Sequence, residues 1–312
     1  MSVHENKLKN SHRTILEDDE LPDGMGKKIR AGRIFNQRTN RAVIVPMDHG
    51  MPLGTIPGLT SPMETFRKVA EAGADAVLMA PGQARMCQAG FVGKEAPSLI
   101  LRLDWTNLFR SVLPATTGSE ALIARVEDAV RYGADAVITY FFVGYEKDEA
   151  ETYNLENVAR IARECEKLAV PFFVEPMARG KRIKGNEYDP QYLKLHVRMA
   201  AEIGADYIKT DYTGDPDSFK EAIRGCPVPV LIAGGPKLET AREMLEMAKG
   251  ALEAGAIGVI FGRNVIQAPD PSAVVKALRL IVHEDGSVED ALKLLETSRR
   301  PAVRSVPYPY WE

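Results

Sequence analysis

The stretch Gly204-Ala205-Asp206-Tyr207-Ile208-Lys209-Thr210-Asp211-Tyr212-Thr213-Gly214-Asp215 follows an amphipathic segment and reads as a helix end, a tight turn and a short strand. The glycine ends the helix in the left-handed conformation, and the chain drops at once into a strand over residues 207–212. Side chains alternate along a strand, so Tyr207, Lys209 and Asp211 share one face and Ile208, Thr210 and Tyr212 the other. A lysine there either points to water from an edge strand or is held inside. Inside, it must be paired or neutralised, and a neutral amine is a nucleophile able to form a Schiff base with a carbonyl substrate.

The same unit recurs at Gly73-Ala74-Asp75, Gly133-Ala134-Asp135 and Gly255-Ala256, at intervals of 60, 71 and 51 residues that are too uneven for a solenoid. Apolar strands are expected at 41–48, 76–80, 98–104, 136–143, 171–177, 207–212, 229–235 and 258–263. Between them the pattern predicts helices over 62–72, 120–132, 149–169, 190–203, 215–225, 238–254 and 271–284. Alternating helices with strands that are apolar on both faces require a parallel sheet clothed by helices. Eight such units over about 250 residues select a closed (β/α)8 TIM barrel of α/β class. The chain is read as one domain over 25–290, with an N-terminal arm over 1–24 carrying Glu17-Asp18-Asp19-Glu20 and a C-terminal tail over 291–312. The tail ends in Tyr308-Pro309-Tyr310-Trp311-Glu312, which is expected to dock on the barrel or on a neighbouring subunit.

With 45% apolar residues among 312 the chain can bury a large core, yet no run approaches the about 18 apolar residues of a membrane span. The N-terminus is polar, and Cys87, Cys165 and Cys226 are too widely spaced for a disulfide framework or a zinc pattern, so a cytoplasmic location is expected. A formal net charge of −3 carries no signature of nucleic-acid or membrane binding, which leaves a small-molecule partner. His4, His12, His49, His196 and His283 form no i, i+2 or i, i+4 pair, so no metal is expected. Nucleotide-binding fingerprints are also lacking, so no cofactor is expected.

The active site of such a barrel lies at the C-terminal ends of its strands. Those ends carry Asp48-His49, Asp104-Trp105, Glu175, Lys209, Gly234-Gly235-Pro236-Lys237 and Gly262-Arg263-Asn264. The two glycine turns follow adjacent strands, where backbone N–H groups can cradle a phosphate and Arg263 or Lys237 can add charge-assisted bonds. Asp48 caps a helix, pairs with an arginine, or holds the amine of Lys209 and accepts protons. Glu175 either pairs with Arg179 or Lys181, or points into the barrel with Phe173 and Met177, where burial would raise its pKa toward neutrality. His49, Arg179 and Asp211 are further substrate-binding candidates.

Val45-Pro46-Met47-Asp48-His49-Gly50, Ile208-Lys209-Thr210-Asp211-Tyr212-Thr213-Gly214-Asp215, Cys226-Pro227-Val228-Pro229, Ala233-Gly234-Gly235-Pro236-Lys237 and Gly262-Arg263-Asn264-Val265-Ile266-Gln267 together resemble the archaeal-type class I fructose-bisphosphate aldolase family. That group also holds the 2-amino-3,7-dideoxy-D-threo-hept-6-ulosonate synthases and the thiolase of autoinducer-2 breakdown. The resemblance runs from about Arg33 to His283. It implies Lys209 as the Schiff-base lysine, Asp48 as the carboxylate of the first strand, and Gly234, Gly235, Gly262 and Arg263 as the phosphate cradle. It also implies a ring-shaped homo-oligomer, often a decamer of two pentamers. Where the aldolases and synthases of the group have a proton-donating tyrosine in a Tyr-Pro-Arg-Gly run, this chain has Met177-Ala178-Arg179-Gly180. Its Glu175-Pro176 is instead similar to the Glu-Pro that supplies the acid/base in tagatose-bisphosphate and sulfofructose-phosphate aldolases. The expectation is a class I aldolase of a phosphorylated ketose, with Glu175 as proton shuttle. The alternatives are a thiolase or transaldolase-like transfer on a phosphorylated dicarbonyl, and a non-catalytic phosphosugar-binding ring protein. A binder needs only the cradle, so Lys209, Asp48 and Glu175 together favour an enzyme.

Overall fold

The computed structural model describes residues 24–115, 118–183 and 185–298. In chain order the strands are β1 (Ala42–Pro46), β2 (Ala76–Met79), β3 (Ser98–Arg102), β4 (Asp104–Thr106), β5 (Glu120–Leu122), β6 (Ala136–Val143), β7 (Phe172–Ala178), β8 (Tyr207–Thr210), β9 (Val230–Ala233) and β10 (Gly258–Ile260). Eight of them close into a parallel barrel in the order β1-β10-β9-β8-β7-β6-β3-β2, as expected from the repeated helix–turn–strand unit. Every barrel strand is buried along its length, which is why each reads as a mostly apolar run.

Alternation divides those runs into two cores. Outward residues such as Val43, Val77, Leu101, Val137 and Ile208 pack beneath the surrounding helices. Inward residues, among them Ile44, Leu78, Ile100, Phe173 and Tyr207, fill the lower half of the barrel. The helix Met25–Ile34 closes the bottom by adding Ala31 and Ile34, and Phe35 follows it into the same cluster, its ring centroid 4.7 Å from that of Tyr207. The aspartate of the recurring turn has a definite task at this end. Asp75 accepts from the Val43 backbone N–H at 2.7 Å and faces His283 at 2.8 Å. Asp135 takes Arg33 at 3.0 Å, while Asp206 takes the buried Lys27 at 3.0 Å and the Phe172 N–H at 2.8 Å. Each carboxylate ties a strand start to a helix, so the motif repeats because the closure repeats.

The helix expected over 120–132 is a correction. Residues Glu120–Leu122 pair antiparallel with Asp104–Thr106, and the helix is confined to Val126–Arg131. The partner strand lies outside the window in which helical spacing was read, so the cross-strand ladder overrides local propensity. The hairpin forms an insertion between β3 and β6. A further helix, Val288–Ser298, buries Ala291 and Leu295 against the body. The acidic cluster of the arm and the aromatic end of the tail lie outside the described residues. Among the described residues no helix is long and apolar enough to cross a membrane.

Candidate active site

Two residues beyond the apolar layer the inward positions become Pro46, Arg102, Tyr140, Glu175, Lys209 and Ala233, so the interior turns polar toward the C-terminal ends. Above this floor lies a cavity of ≈ 320 Å³ lined by Lys209, Glu175, Asp48, His49, Arg179 and Asp211, together with Gly234, Gly235, Gly262 and Arg263. All ten come from the rim candidates of the sequence. Lys237 does not line the cavity; its ammonium donates to the Asn264 carbonyl at 3.3 Å.

Lys209 is 7% exposed, and its Nζ lies 2.6 Å from Glu175 Oε1. Glu175 is therefore an inward residue, and its partners are neither Arg179 nor Lys181. Its other oxygen accepts from Arg102 Nη2. Arg102 is the hub of the floor. Its Nε donates to Asp48 Oδ2 at 2.8 Å and its Nη1 to Asp104 Oδ1 at 3.3 Å, while the guanidinium lies 3.7 Å from the centroid of the Tyr140 ring. Of the roles open to Asp48, partner of an arginine is the one found.

These contacts reverse one expectation about charge. Burial works against the ionised form of Glu175, but Lys209 and Arg102 outweigh it and hold the carboxyl below its ordinary range. Asp48 is likewise desolvated and likewise held low, by Arg102 above all and by Lys209. The near-neutral carboxyl is Asp104, which burial pushes up to about 7 against the pull of Arg102. Asp104 sits behind Arg102, outside the cavity, and accepts the Tyr140 backbone N–H at 2.6 Å. Burial, aided by Lys209 and Arg263, pushes His49 down to about 4 despite Asp48, so its imidazole is neutral. Asp211 is buried just past the end of β8 and accepts from Arg179 Nη2 at 2.8 Å.

Arg102→Met removes the cation shared by three buried carboxyls and leaves Lys209, against Glu175, as the remaining one. It is expected to lower stability by about 3–5 kcal/mol at pH 8, measured by urea unfolding. In the variant the folded-state carboxyl pKa values rise above their unfolded values, so the deficit shrinks as pH falls and the groups take up protons. A deficit that stays constant from pH 8 to pH 5 would mean that lost packing, not charge, is responsible.

The opposite end of the cavity is built from glycine turns. Gly235 has φ +63°, a conformation that favours glycine, and a Cβ on Gly262 would collide with the His49 ring. Asn264 locks the two turns together: its Nδ2 donates to the Gly234 carbonyl at 2.7 Å and the Pro236 carbonyl at 3.1 Å, and its Oδ1 accepts the Leu238 N–H at 2.8 Å. Arg263 Nε is buried without a hydrogen-bond partner. An unfilled guanidinium donor beside two glycine turns suits an anion.

Sequence reasoning placed Asn264 on the rim without giving it a role, and it missed Arg102, Tyr140, Phe109 and Tyr188. Arg102 was discoverable, because a charged residue at an alternate position of Ser98-Leu99-Ile100-Leu101-Arg102 is the same anomaly as Lys209 in its own strand. Tyr140 sits among Ile138, Phe141 and Phe142 in a mostly apolar strand, and Phe109 and Tyr188 come from loops; none carries a local signal.

The sequence model of the DeoC/LacD family aldolases matches residues 42–268. The chain is 38% identical to the 2-amino-3,7-dideoxy-D-threo-hept-6-ulosonate synthase of Halobacterium salinarum, over 86% of this chain and 95% of that one. It is 33% identical to the 3-hydroxy-5-phosphonooxypentane-2,4-dione thiolase of Yersinia enterocolitica, over 86% of each. An archaeal fructose-1,6-bisphosphate aldolase, solved with its catalytic lysine covalently bound to the carbinolamine intermediate of the substrate, superposes with a TM-score of 0.72 at 33% identity. That match covers 81% of this chain and 98% of the other.

Proposed function

The chain belongs to the DeoC/LacD family of aldolases, and we propose that it cleaves or forms a carbon–carbon bond of a phosphorylated ketose through an imine on Lys209. The observation that carries this reading is the buried Lys209–Glu175 pair at the floor of a cavity whose far turns leave Arg263 Nε unpartnered. The amine of Lys209 adds to the substrate carbonyl carbon, and loss of water from the carbinolamine forms the imine. Glu175, held as a carboxylate, takes the proton of the hydroxyl on the far side of the scissile bond. That bond breaks, its electron pair passes into the enamine, and the aldehyde leaves. Once the enamine forms, the nitrogen of Lys209 is neutral and Glu175 has lost one of its two cations. Its proton affinity rises at that moment, so the same carboxyl can return the proton to carbon. Hydrolysis of the new imine frees the second product. Asp48 and Arg102 keep the floor in place, and Gly234, Gly235, Gly262 and Arg263 hold the phosphate.

Incubation with dihydroxyacetone phosphate and borohydride should add a stable mass to Lys209, read by intact-protein and peptide mass spectrometry. An unmodified Lys209 under saturating ligand would overturn the reading. Similarity to a thiolase supports a second chemistry on the same imine scaffold, acyl transfer, which requires an acyl acceptor for turnover. Turnover of a ketose phosphate without any acceptor separates the two. Assembly into a ring such as a decamer, with a cytoplasmic location, belongs to the same proposal.

Arg263→Ala tests the cradle. A charge-assisted hydrogen bond is worth roughly 1.5–3 kcal/mol, so KM for the phosphorylated substrate should rise about 10- to 100-fold. KM for an unphosphorylated analogue should change little. Equal effects on both would make Arg263 structural.

A further inference from the structure

The cradle and the wall facing it differ in kind. Gly234, Gly235 and Arg263 follow β9 and β10, and the strands diametrically opposite in the closed barrel are β3 and β6. On that side the cavity is bounded by Phe109 from the loop of the β4–β5 hairpin, by Tyr140, and by Met177 at the end of the neighbouring β7. Phe109 packs with its ring centroid 5.7 Å from Tyr140 and 5.7 Å from Phe142. Lys209 and Glu175 lie on β8 and β7, between the two sides. A substrate anchored by phosphate at the cradle, with its carbonyl over Lys209, must therefore point its other end at this aromatic wall.

Among the described residues that line the cavity, no cation on that side is free of a carboxylate partner. Among the described residues the cations lining the cavity are Lys209, Arg179 and Arg263, set against Asp48, Glu175, Glu187 and Asp211. Arg179, whose guanidinium lies 5.9 Å from the centroid of the Phe109 ring, is the cavity-lining cation that reaches the wall, and it is already paired with Asp211 at 2.8 Å and bonded to the Ala178 carbonyl at 2.7 Å. Arg102 is buried behind Tyr140 and engaged by three carboxylates. A terminal phosphate ester carries about −1.5 to −2 charge at neutral pH, and seating it against Phe109, Tyr140 and Met177 would strip its water without an unpaired cation to replace it.

We infer that the site takes a singly phosphorylated substrate whose end remote from the cradle is uncharged and packs its C–H surface on Phe109, Tyr140 and Met177. This rests on the Schiff-base reading of Lys209, and it adds the charge of the part of the substrate that leaves as the aldehyde.

Borohydride trapping at Lys209 is the readout, with dihydroxyacetone phosphate as control and D-fructose 1-phosphate and D-fructose 1,6-bisphosphate as the test pair. The two sugars differ only in the remote phosphate. The monophosphate should half-saturate trapping at a concentration about 10- to 100-fold lower, the scale set by an unpaired, partly desolvated charge. Phe109→Arg, which places a cation on the wall from a loop position, should narrow or invert that ratio. Equal or tighter trapping by the bisphosphate in the native enzyme overturns the inference. So does trapping by the control but by neither sugar, and an unchanged ratio in Phe109→Arg removes the wall from the discrimination. No adduct even with the control overturns the Schiff-base reading itself, and the inference with it.

Discussion

Lys209→Met is expected to abolish both the borohydride-trapped adduct and turnover, the latter by at least about 10⁴-fold, because the nucleophile of a covalent mechanism has no substitute. The barrel should survive the change. Methionine fits the length of the lysine stem, and Glu175 retains Arg102 as a charged partner after its bond to Lys209 Nζ is lost. A second variant separates nucleophile from charge. Lys209→Arg keeps a cation next to Glu175 but removes the amine, and it should be as inactive as Lys209→Met while unfolding closer to the native protein in urea. Chelators should leave activity unchanged. Turnover lost in EDTA and restored by zinc, or a methionine variant that still yields the adduct, would sink the imine on Lys209.

Glu175→Gln is the other large effect. The amide keeps the size of the side chain, so imine formation and trapping should persist, but no carboxylate remains to take the hydroxyl proton or return it to carbon. Turnover should fall by about 10²–10⁴-fold, the usual worth of a positioned acid–base group. The pH profile gives an independent check. Although burial opposes its charge, Lys209 and Arg102 hold Glu175 below the usual carboxyl value of 4.5, so the acidic limb of kcat/KM should lie below that value. An acidic limb near neutrality would point instead to a carboxyl such as Asp104, whose pKa burial lifts to about 7. Near-normal turnover in Glu175→Gln would pass the shuttle to Asp48 or to Tyr140, the phenol that lines the same cavity.

The fold was legible because it is written in periodicities. Each Gly-Ala turn with its following apolar run marks a helix handing over to a strand, and strands apolar on both faces admit only a sheet covered on both sides. Lys209 was legible for the complementary reason: a charge at an inward position of a short buried strand breaks that pattern. Arg102 breaks it in the same way. The hairpin over Asp104–Thr106 and Glu120–Leu122 was not legible, because its pairing joins segments that each carry too few residues to show a period.

What the sequence determined by itself is the barrel, its rim, and the set of charged and glycine residues gathered there. The charge states of those residues were decided by tertiary structure alone. Arg102, Glu175 and Lys209 come from three strands and Asp48 from the turn after a fourth, and Arg102 meets Asp48 and Glu175 across 54 and 73 residues of chain. Burial by itself would have raised Glu175; two cations delivered by other strands, β8 and β3, lower it, and Asp104, with a weaker share of the same guanidinium, is raised instead. Desolvation follows from a residue's own strand and its alternation, whereas Coulombic partners arrive through space from other strands, and no pattern along one segment encodes which of the two prevails.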